Sequence, residues 1–270
     1  MSNEAAMASF LIRHRDGAVL TLTMNHPETR NALTGNTAIR EIVAACADVA
    51  ADPSVRAVIL TGAGRAFSSG GNVSDMQKYE RDRPSPEIVC QEYRSGIQLL
   101  PKALYHLDVP VIAAINGPAI GAGLDLACMC DIRIASSNAT FASSFVKVGL
   151  VPGDGGAWLL PRFVGQSKAA EMIFTGASMS SAEALECGLV SRVVTPDDLL
   201  ATANSIASAI AANPGAALRM SKRLLRAGEQ SSLDTLLEFS AASQAIAHML
   251  PEHHEAIRAI KEKRPPNFSQ

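Results

Sequence analysis

Apolar residues form short runs along the first two thirds of the chain, and glycine, proline or polar residues bound each run. Clear examples are Val19–Met24, Val55–Gly62 and Pro110–Ile115. Apolar runs of this length between turn residues are typical of buried strands. Beyond about residue 195 the apolar positions recur with helical spacing instead. The pattern therefore predicts an α/β core of β-β-α units over residues 1–195 and an α-helical region over residues 196–270.

The pattern also predicts individual elements. Phe10–Met24 is expected to form a hairpin. Thr34 is expected to cap a helix that runs to about Ala51. A polar loop is predicted over residues 81–86, followed by one helix from about Pro86 to Leu107. The C-terminal helices are predicted near residues 196–212, 216–227, 233–249 and 251–263.

Two segments share one design, a buried strand followed by a loop of very small residues and a helix start. Val55–Gly62 leads to Phe67-Ser-Ser-Gly-Gly71, and Pro110–Gly117 leads to Gly121-Ala-Gly123. Backbone N–H groups at a helix N-terminus are unpaired and attract negative charge. Two such loops side by side can aim two N–H groups at one oxygen, which is the arrangement of an oxyanion hole.

Composition and competing motifs narrow the function classes. The formal net charge is −2 and no long basic block occurs, which argues against nucleic acid as the main partner. No apolar run reaches membrane-spanning length, and the first residues lack the pattern of a secretory signal.

The five cysteines are odd in number and lie mostly in apolar settings, so we expect a cytoplasmic protein with reduced thiols. Cys128-Met-Cys130 does not have a usual zinc spacing, and we expect no metal. No dinucleotide fingerprint, Gly-x-Ser-x-Gly elbow or phosphate loop is present.

These motifs together resemble the crotonase superfamily, which includes enoyl-CoA hydratases and isomerases. The resemblance spans nearly the whole chain and rests on Asn31-Ala-Leu33, Val58–Gly62, Ala66–Gly71, Pro110–Gly117, Gly121-Ala-Gly123, Asp131, Gly149–Pro152, Gly155-Gly156, Ala184–Val190 and Glu262-Lys-Arg264. It implies a spiral of β-β-α units and a homotrimer or dimer of trimers. It also implies an acyl-CoA thioester substrate, with coenzyme A as part of the substrate and no separate cofactor.

The resemblance assigns the chemistry to particular residues. The two oxyanion-hole donors fall on the backbone N–H groups of Gly71 and Ala122. The first of the family's two glutamates falls on Asp125, and the second falls on Phe145, which cannot move a proton. Asp154, on the next loop, is therefore a candidate for the missing acid or for holding the water. Alternatively, Asp154 is a turn or helix N-cap residue, and Asp125 is a packed helix residue placed near a positive dipole end.

The resemblance also places contacts to coenzyme A or the acyl group at Arg30, Ala32, Ser69, Gly70, Asn72, Phe145 and Lys263. Basic side chains at Arg30 and Lys263 suit phosphate groups. A solvated surface charge explains each of these two residues equally well.

The favoured reaction is hydration of a 2-enoyl-CoA to a 3-hydroxyacyl-CoA, or the reverse dehydration. Because the second glutamate is missing, double-bond isomerisation by a single carboxylate is the alternative within the family. A non-catalytic acyl-CoA-binding protein that kept the fold is the alternative from another class.

Overall fold

The computed structural model describes residues 9–268, which form nine strands and twelve α-helices. The strands are β1 Leu11–Asp16, β2 Val19–Met24, β3 Ala57–Gly62, β4 Val111–Ile115, β5 Ala119–Ile120, β6 Ile132–Ser136, β7 Thr140–Ala142, β8 Met179–Ser180 and β9 Arg192–Val194. The helices are α1 Ala38–Ala51, α2 Val73–Asp82, α3 Pro86–Ser95, α4 Leu99–Tyr105, α5 Ala122–Met129, α6 Gly156–Val164, α7 Gln166–Thr175, α8 Ser181–Glu186, α9 Leu199–Ala211, α10 Gly215–Gly228, α11 Leu233–Met249 and α12 Pro251–Glu262.

A six-stranded sheet with the order β1-β2-β3-β4-β6-β9 forms the centre of the molecule. The hairpin pair β1–β2 is antiparallel, and the other neighbours are parallel. Strands β3 and β4 are buried along their apolar runs because helices cover both faces of a parallel sheet. A smaller sheet, β5-β7-β8, lies next to it. The carboxyl ends of β3 and β4 lie side by side, which brings the two glycine-containing loops to one edge.

The predicted α/β class with a C-terminal helical region is confirmed, and so is the hairpin over residues 10–24. Several boundaries were wrong. The first long helix begins at Ala38, because the Thr34 hydroxyl accepts a hydrogen bond from the Asn72 N–H (2.9 Å) instead of capping that helix. The predicted single helix from Pro86 divides into α3 and α4 at Gly96, where φ is −113° and ψ is −112°. Helix α2 extends to Asp82 and α3 begins at Pro86. The polar loop between them therefore covers only residues 83–85 instead of the predicted 81–86.

The helices beyond residue 195 do not all stand apart from the core. Helix α9 packs on one face of the large sheet, where Leu199, Ala203 and Ala207 contact a cluster that includes Ile59 and Ile112. Helices α11 and α12 instead leave many large apolar side chains exposed. The division of the chain at residue 195 stays a prediction.

Helix α10 is tied to the sheet by a partly buried ionic cluster. The Asp131 carboxylate accepts hydrogen bonds from Lys222 Nζ (2.6 Å) and Arg226 Nη2 (2.7 Å). Lys222 also donates to the Val109 carbonyl oxygen (2.9 Å), and Asp131 receives the Val111 N–H (2.8 Å). The cluster therefore fixes α10 to the start of β4.

Candidate active site

The two loops that follow β3 and β4 are hydrogen-bonded to each other. The N–H groups of Phe67 and Ser68 both donate to the Pro118 carbonyl oxygen, at 3.1 Å. The Ile120 N–H donates to the Ser68 carbonyl oxygen at 3.0 Å, and Ser68 forms a parallel bridge with Ala119. The predicted meeting of the two loops is therefore present in the fold.

Gly70 allows the loops to approach this closely. A Cβ atom at Gly70 would lie 2.4 Å from the Ile120 carbonyl oxygen and 2.9 Å from the Ala122 nitrogen. No real side chain tolerates such distances, so this position requires glycine. The first loop thus passes directly against the N-terminus of α5.

Gly71 and Ala122 both line one cavity of about 320 Å³. Among the described residues, no hydrogen bond uses the N–H of either one. Backbone donors without a partner at a helix N-terminus attract an anionic oxygen. The cavity can therefore hold a carbonyl oxygen that gains negative charge during a reaction.

Asp154 contributes a carboxylate to the same cavity. The residue is only 4% exposed, and burial raises the pKa of its carboxyl to about 6. None of the hydrogen bonds within residues 9–268 involves this carboxylate. Asp154 lies in a turn, and the N-cap position of α6 belongs to Gly155, so the alternative that Asp154 caps this helix was wrong. An unpaired carboxylate with this pKa is suited to proton transfer near neutral pH.

Asp125 lies in the first turn of α5 and is 1% exposed. Its Oδ2 accepts a hydrogen bond from the Gly156 N–H at 3.1 Å. Burial, and then the nearby charge of Asp154, raise the pKa of Asp125 well above its usual value. The described lining of the cavity includes Asp154 but not Asp125. Asp125 therefore holds the start of α6, just beyond Asp154.

Phe145 stands on the cavity wall. Its ring Cζ lies 3.8 Å from the point that a Cβ atom of Gly121 would occupy. Gly121 directly precedes Ala122, so the aromatic ring lies beside one of the two free N–H groups. The position assigned to the second glutamate is thus an apolar surface next to the candidate oxyanion site.

The other predicted contact residues surround the loops rather than the cavity. Gly70 is paired with Leu33, whose N–H donates to the Gly70 carbonyl oxygen at 2.7 Å, and the Ala32 carbonyl oxygen accepts a hydrogen bond from Asn36 Nδ2 at 2.7 Å. Ser69 donates its hydroxyl to the Thr29 carbonyl oxygen, and Asn72 caps α2 by accepting the Ser74 N–H. Arg30 and Lys263 are exposed, each with a left-handed backbone. Neither basic residue lines the cavity within the described chain.

Sequence reasoning missed the wall contributed by α2 and α3. Met76 and Tyr79 from α2 and Glu92 and Tyr93 from α3 line the cavity, together with Ile97. Met76 and Tyr79 follow the first loop closely in sequence, whereas Glu92, Tyr93 and Ile97 lie farther along the chain. One signal was available: the chain has only three tyrosines, and two of them fall in this short segment.

The described residues contain neither a metal-holding cluster nor a membrane-spanning helix. No group of three or more His, Cys, Asp or Glu side chains is placed to hold a metal ion there. No helix in residues 9–268 is long and apolar enough to span a bilayer. Burial raises the pKa values of Cys128 and Cys130 to about 12, which keeps both thiols protonated. The expected absence of a metal or separate cofactor stays a prediction.

Paired strand–glycine loops with free N–H donors, in a spiral of β-β-α units, define a crotonase-fold protein. The model of the enoyl-CoA hydratase/isomerase family matches residues 14–270, and the chain belongs to this family.

Several relatives cover nearly the whole chain. The chain is 37% identical to the short-chain-enoyl-CoA hydratase of Clostridium acetobutylicum, over 94% of this chain and 95% of that protein. It is 35% identical to the 1,2-epoxyphenylacetyl-CoA isomerase of Escherichia coli, over 97% and 99% of the two chains. The crystal structure of an enoyl-CoA hydratase from Mycobacterium smegmatis superposes with a TM-score of 0.88 at 34% identity, covering 97% of this chain and 100% of that one.

Proposed function

We propose that the protein adds water to the double bond of a 2-enoyl-CoA, or removes it from the 3-hydroxyacyl-CoA. One observation carries the proposal: two free N–H groups and an unpaired carboxylate with a pKa of about 6 face the same cavity. The family places the chain among enzymes that act on acyl-CoA thioesters, which supports this substrate class.

In this mechanism the N–H groups of Gly71 and Ala122 donate to the thioester carbonyl oxygen. Asp154 accepts a proton from a water molecule as the water oxygen bonds to C3. The C2=C3 electron pair forms the enolate, whose negative oxygen the two donors stabilise. Protonated Asp154 then delivers its proton to C2, which restores the carboxylate and completes the addition of one water. Loss of one donor to such an oxyanion typically costs about 10²–10³ in rate.

Asp125 has a positioning role in the proposal. Its hydrogen bond to the Gly156 N–H holds the loop that carries Asp154. A Cβ atom at Gly156 would lie 2.1 Å from Asp125 Oδ1. Position 156 therefore requires glycine as long as the Asp125 carboxylate occupies this place. A direct proton transfer by Asp125 remains the earlier prediction and has less support, because this residue does not line the cavity in the described structure.

Double-bond isomerisation is the second candidate. In that reaction one carboxylate removes a proton from one carbon and returns it to another, with no water added. The cavity offers Asp154 for this task, and Phe145 occupies the position of the second glutamate. The matched family includes enoyl-CoA isomerases as well as hydratases, which also supports it.

We propose further that the chain assembles as a homotrimer or dimer of trimers, and that Arg30 and Lys263 approach the phosphates or adenine of coenzyme A. The exposed apolar residues of α11 and α12 support the assembly, because a surface of this kind marks an interaction site. A cytoplasmic location is part of the same proposal, and the five free cysteines support it.

The test is a steady-state assay of the purified protein with crotonyl-CoA and with a 3-enoyl-CoA. Hydration of crotonyl-CoA is expected, with kcat/KM rising as the pH passes about 6 and Asp154 loses its proton. D154N is expected to reduce the rate by at least about 10². Asp197→Asn, at an exposed aspartate, is the matched control.

Isomerisation without hydration would select the second candidate. Tight binding of acyl-CoA with no turnover of any enoyl-CoA would show a non-catalytic binding protein. Near-wild-type rates in D154N would remove Asp154 from the mechanism.

A further inference from the structure

Tyr93 has a hydroxyl group that no atom of residues 9–268 satisfies. Of the three tyrosines, Tyr79 donates to Glu92 (2.7 Å) and Tyr105 donates to Glu229 (2.5 Å). Within residues 9–268, no hydrogen bond uses the hydroxyl of Tyr93, although the residue is partly buried on the cavity wall. A phenol in such a place usually finds a partner, so its partner is expected to be bound in the cavity.

The ring of Tyr93 is seated beside Asp154. Its Cε1 lies 2.9 Å from the point that a Cβ atom at Gly153 would occupy. This carbon neighbours the one that bears the hydroxyl, and Gly153 directly precedes Asp154. The charge of Asp154 also contributes, after burial, to raising the pKa of Tyr93, so the phenol stays protonated at neutral pH.

Gln98 fixes both partners of this contact. The Gln98 N–H donates to the Tyr93 carbonyl oxygen at 3.1 Å, and Gln98 Nε2 donates to the Gly153 carbonyl oxygen at 3.0 Å. The turn after α3 and the turn before α6 are therefore joined through one side chain. This link fixes the backbone of Tyr93 relative to the backbone of Gly153. It thereby limits the distance between the Tyr93 phenol and the Asp154 carboxylate.

We propose that the Tyr93 hydroxyl, together with Asp154, holds the water molecule that adds to C3. This inference rests on the proposed hydration. A water needs two to four polar partners to be ordered in a cavity, and Asp154 alone supplies one. The Tyr93 oxygen accepts one water hydrogen while Asp154 accepts the other. The water oxygen is then oriented with its lone pair toward C3, and Tyr93 itself exchanges no proton. Tyr93 thus takes the positioning task that Phe145 cannot perform.

The experiment separates water addition from enolate formation. Wild type, Y93F, D154N and Y105F are assayed for hydration of crotonyl-CoA. The same proteins are assayed for exchange of the C2 protons of butyryl-CoA in D₂O, followed by NMR. Exchange needs the oxyanion donors and the base but no water at C3.

Y93F keeps the ring and its contact with Gly153, and its fold is checked by circular dichroism. We expect Y93F to lower kcat for hydration about 10–100-fold, as for loss of a hydrogen bond that orients a reacting group. The exchange rate and KM should change less than about threefold, since the base and the thioester site are intact. D154N should lose both reactions, and Y105F, which removes a phenol that does not line this cavity, should keep the wild-type ratio.

Two outcomes would overturn the role of Tyr93 but leave the proposed hydration standing. One is a normal hydration rate in Y93F. The other is an equal fall of the hydration and exchange rates in Y93F, which would show a general effect on the site. A wild type that exchanges C2 protons but hydrates no enoyl-CoA overturns the proposed hydration itself, and the role of Tyr93 with it.

Discussion

At the scale of single residues, Asp154 opposes folding when it is ionised. Burial disfavours its charged form, and no hydrogen bond in the described chain compensates. Because the pKa of its carboxyl is raised from 3.8 to about 6, this opposition is absent below about pH 4 and complete above about pH 6. The residue that is best placed for chemistry therefore reduces the stability of the fold.

Replacement of Asp154 by asparagine should stabilise the protein at pH 8. A shift of roughly two units corresponds to about 3 kcal/mol, so D154N should gain about 2–3 kcal/mol in free energy of unfolding. Urea unfolding of both proteins at pH 8 and pH 4 checks this, and the difference should vanish at pH 4. Asp197→Asn, at an exposed aspartate, is again the matched control. A destabilised D154N at pH 8 would contradict the raised pKa.

Gly70 offers a residue-scale test of the proposed oxyanion hole. Gly70→Ala should force the two loops apart, because the new Cβ would lie 2.4 Å from the Ile120 oxygen. We expect a fall of about 10²–10³ in kcat/KM, since misplaced donors no longer stabilise the enolate. Gly165→Ala is the matched control: its φ of 77° resembles the 80° of Gly70, but no atom lies within 4 Å of its Cβ position. Equal losses in both variants would show that backbone strain alone is responsible.

At the scale of elements, the position of α10 depends on the cluster of Asp131, Lys222 and Arg226. The side chain of Lys222 is buried, and burial lowers its pKa. A buried ammonium group without its counterion is strongly unfavourable. The cluster thus fixes the orientation of α10, because it pairs the buried Lys222 ammonium group with the Asp131 carboxylate and the Val109 carbonyl oxygen.

Asp131→Asn should lower the free energy of unfolding by roughly 3 kcal/mol, because it leaves Lys222 buried without a negative partner. The double variant with Lys222→Met should recover part of this loss. Denaturant unfolding measures both. Asp108→Asn is the control, because the pair of Asp108 with the exposed Arg223 should contribute less than about 1 kcal/mol. If both aspartate variants lost the same amount, burial of the cluster would not matter.

The sequence also predicted some elements better than others. The strands β3 and β4 follow directly from their apolar runs, since a buried strand needs no distant information. Thr34 was wrongly expected to cap a helix, because its hydroxyl instead binds Asn72 from another loop. The backbone turn at Gly96 and the wall formed by Tyr93 depend on contacts between segments far apart in sequence. Local patterns therefore predicted the two loops but not the wall that closes the cavity over them.

At the scale of the whole molecule, α11 and α12 expose large apolar side chains that a second chain can cover. The exposed residues are Leu233, Leu237, Phe239, Ile246, Met249, Ile257 and Ile260. Exposed apolar surface on this scale marks protein–protein contacts in soluble proteins.

We expect sedimentation at three or six times the 28.4 kDa mass of one chain. Leu237→Glu combined with Ile260→Glu should dissociate the assembly, because buried unpaired charges disfavour association. Analytical ultracentrifugation measures this. Asn204→Glu, a charge added at an exposed polar position of α9, should leave the assembly intact. A monomeric wild type would contradict the proposed assembly.

Among the described residues, Asp154 is the one buried carboxylate that lines the cavity, and this limits the stereochemistry of the proposed hydration. A single group that takes a proton from water and returns it to C2 must work from one side of the planar double bond. The oxygen at C3 and the new hydrogen at C2 are then added to the same face. In D₂O the product should therefore carry its C2 deuterium in the single relative configuration that addition to one face gives.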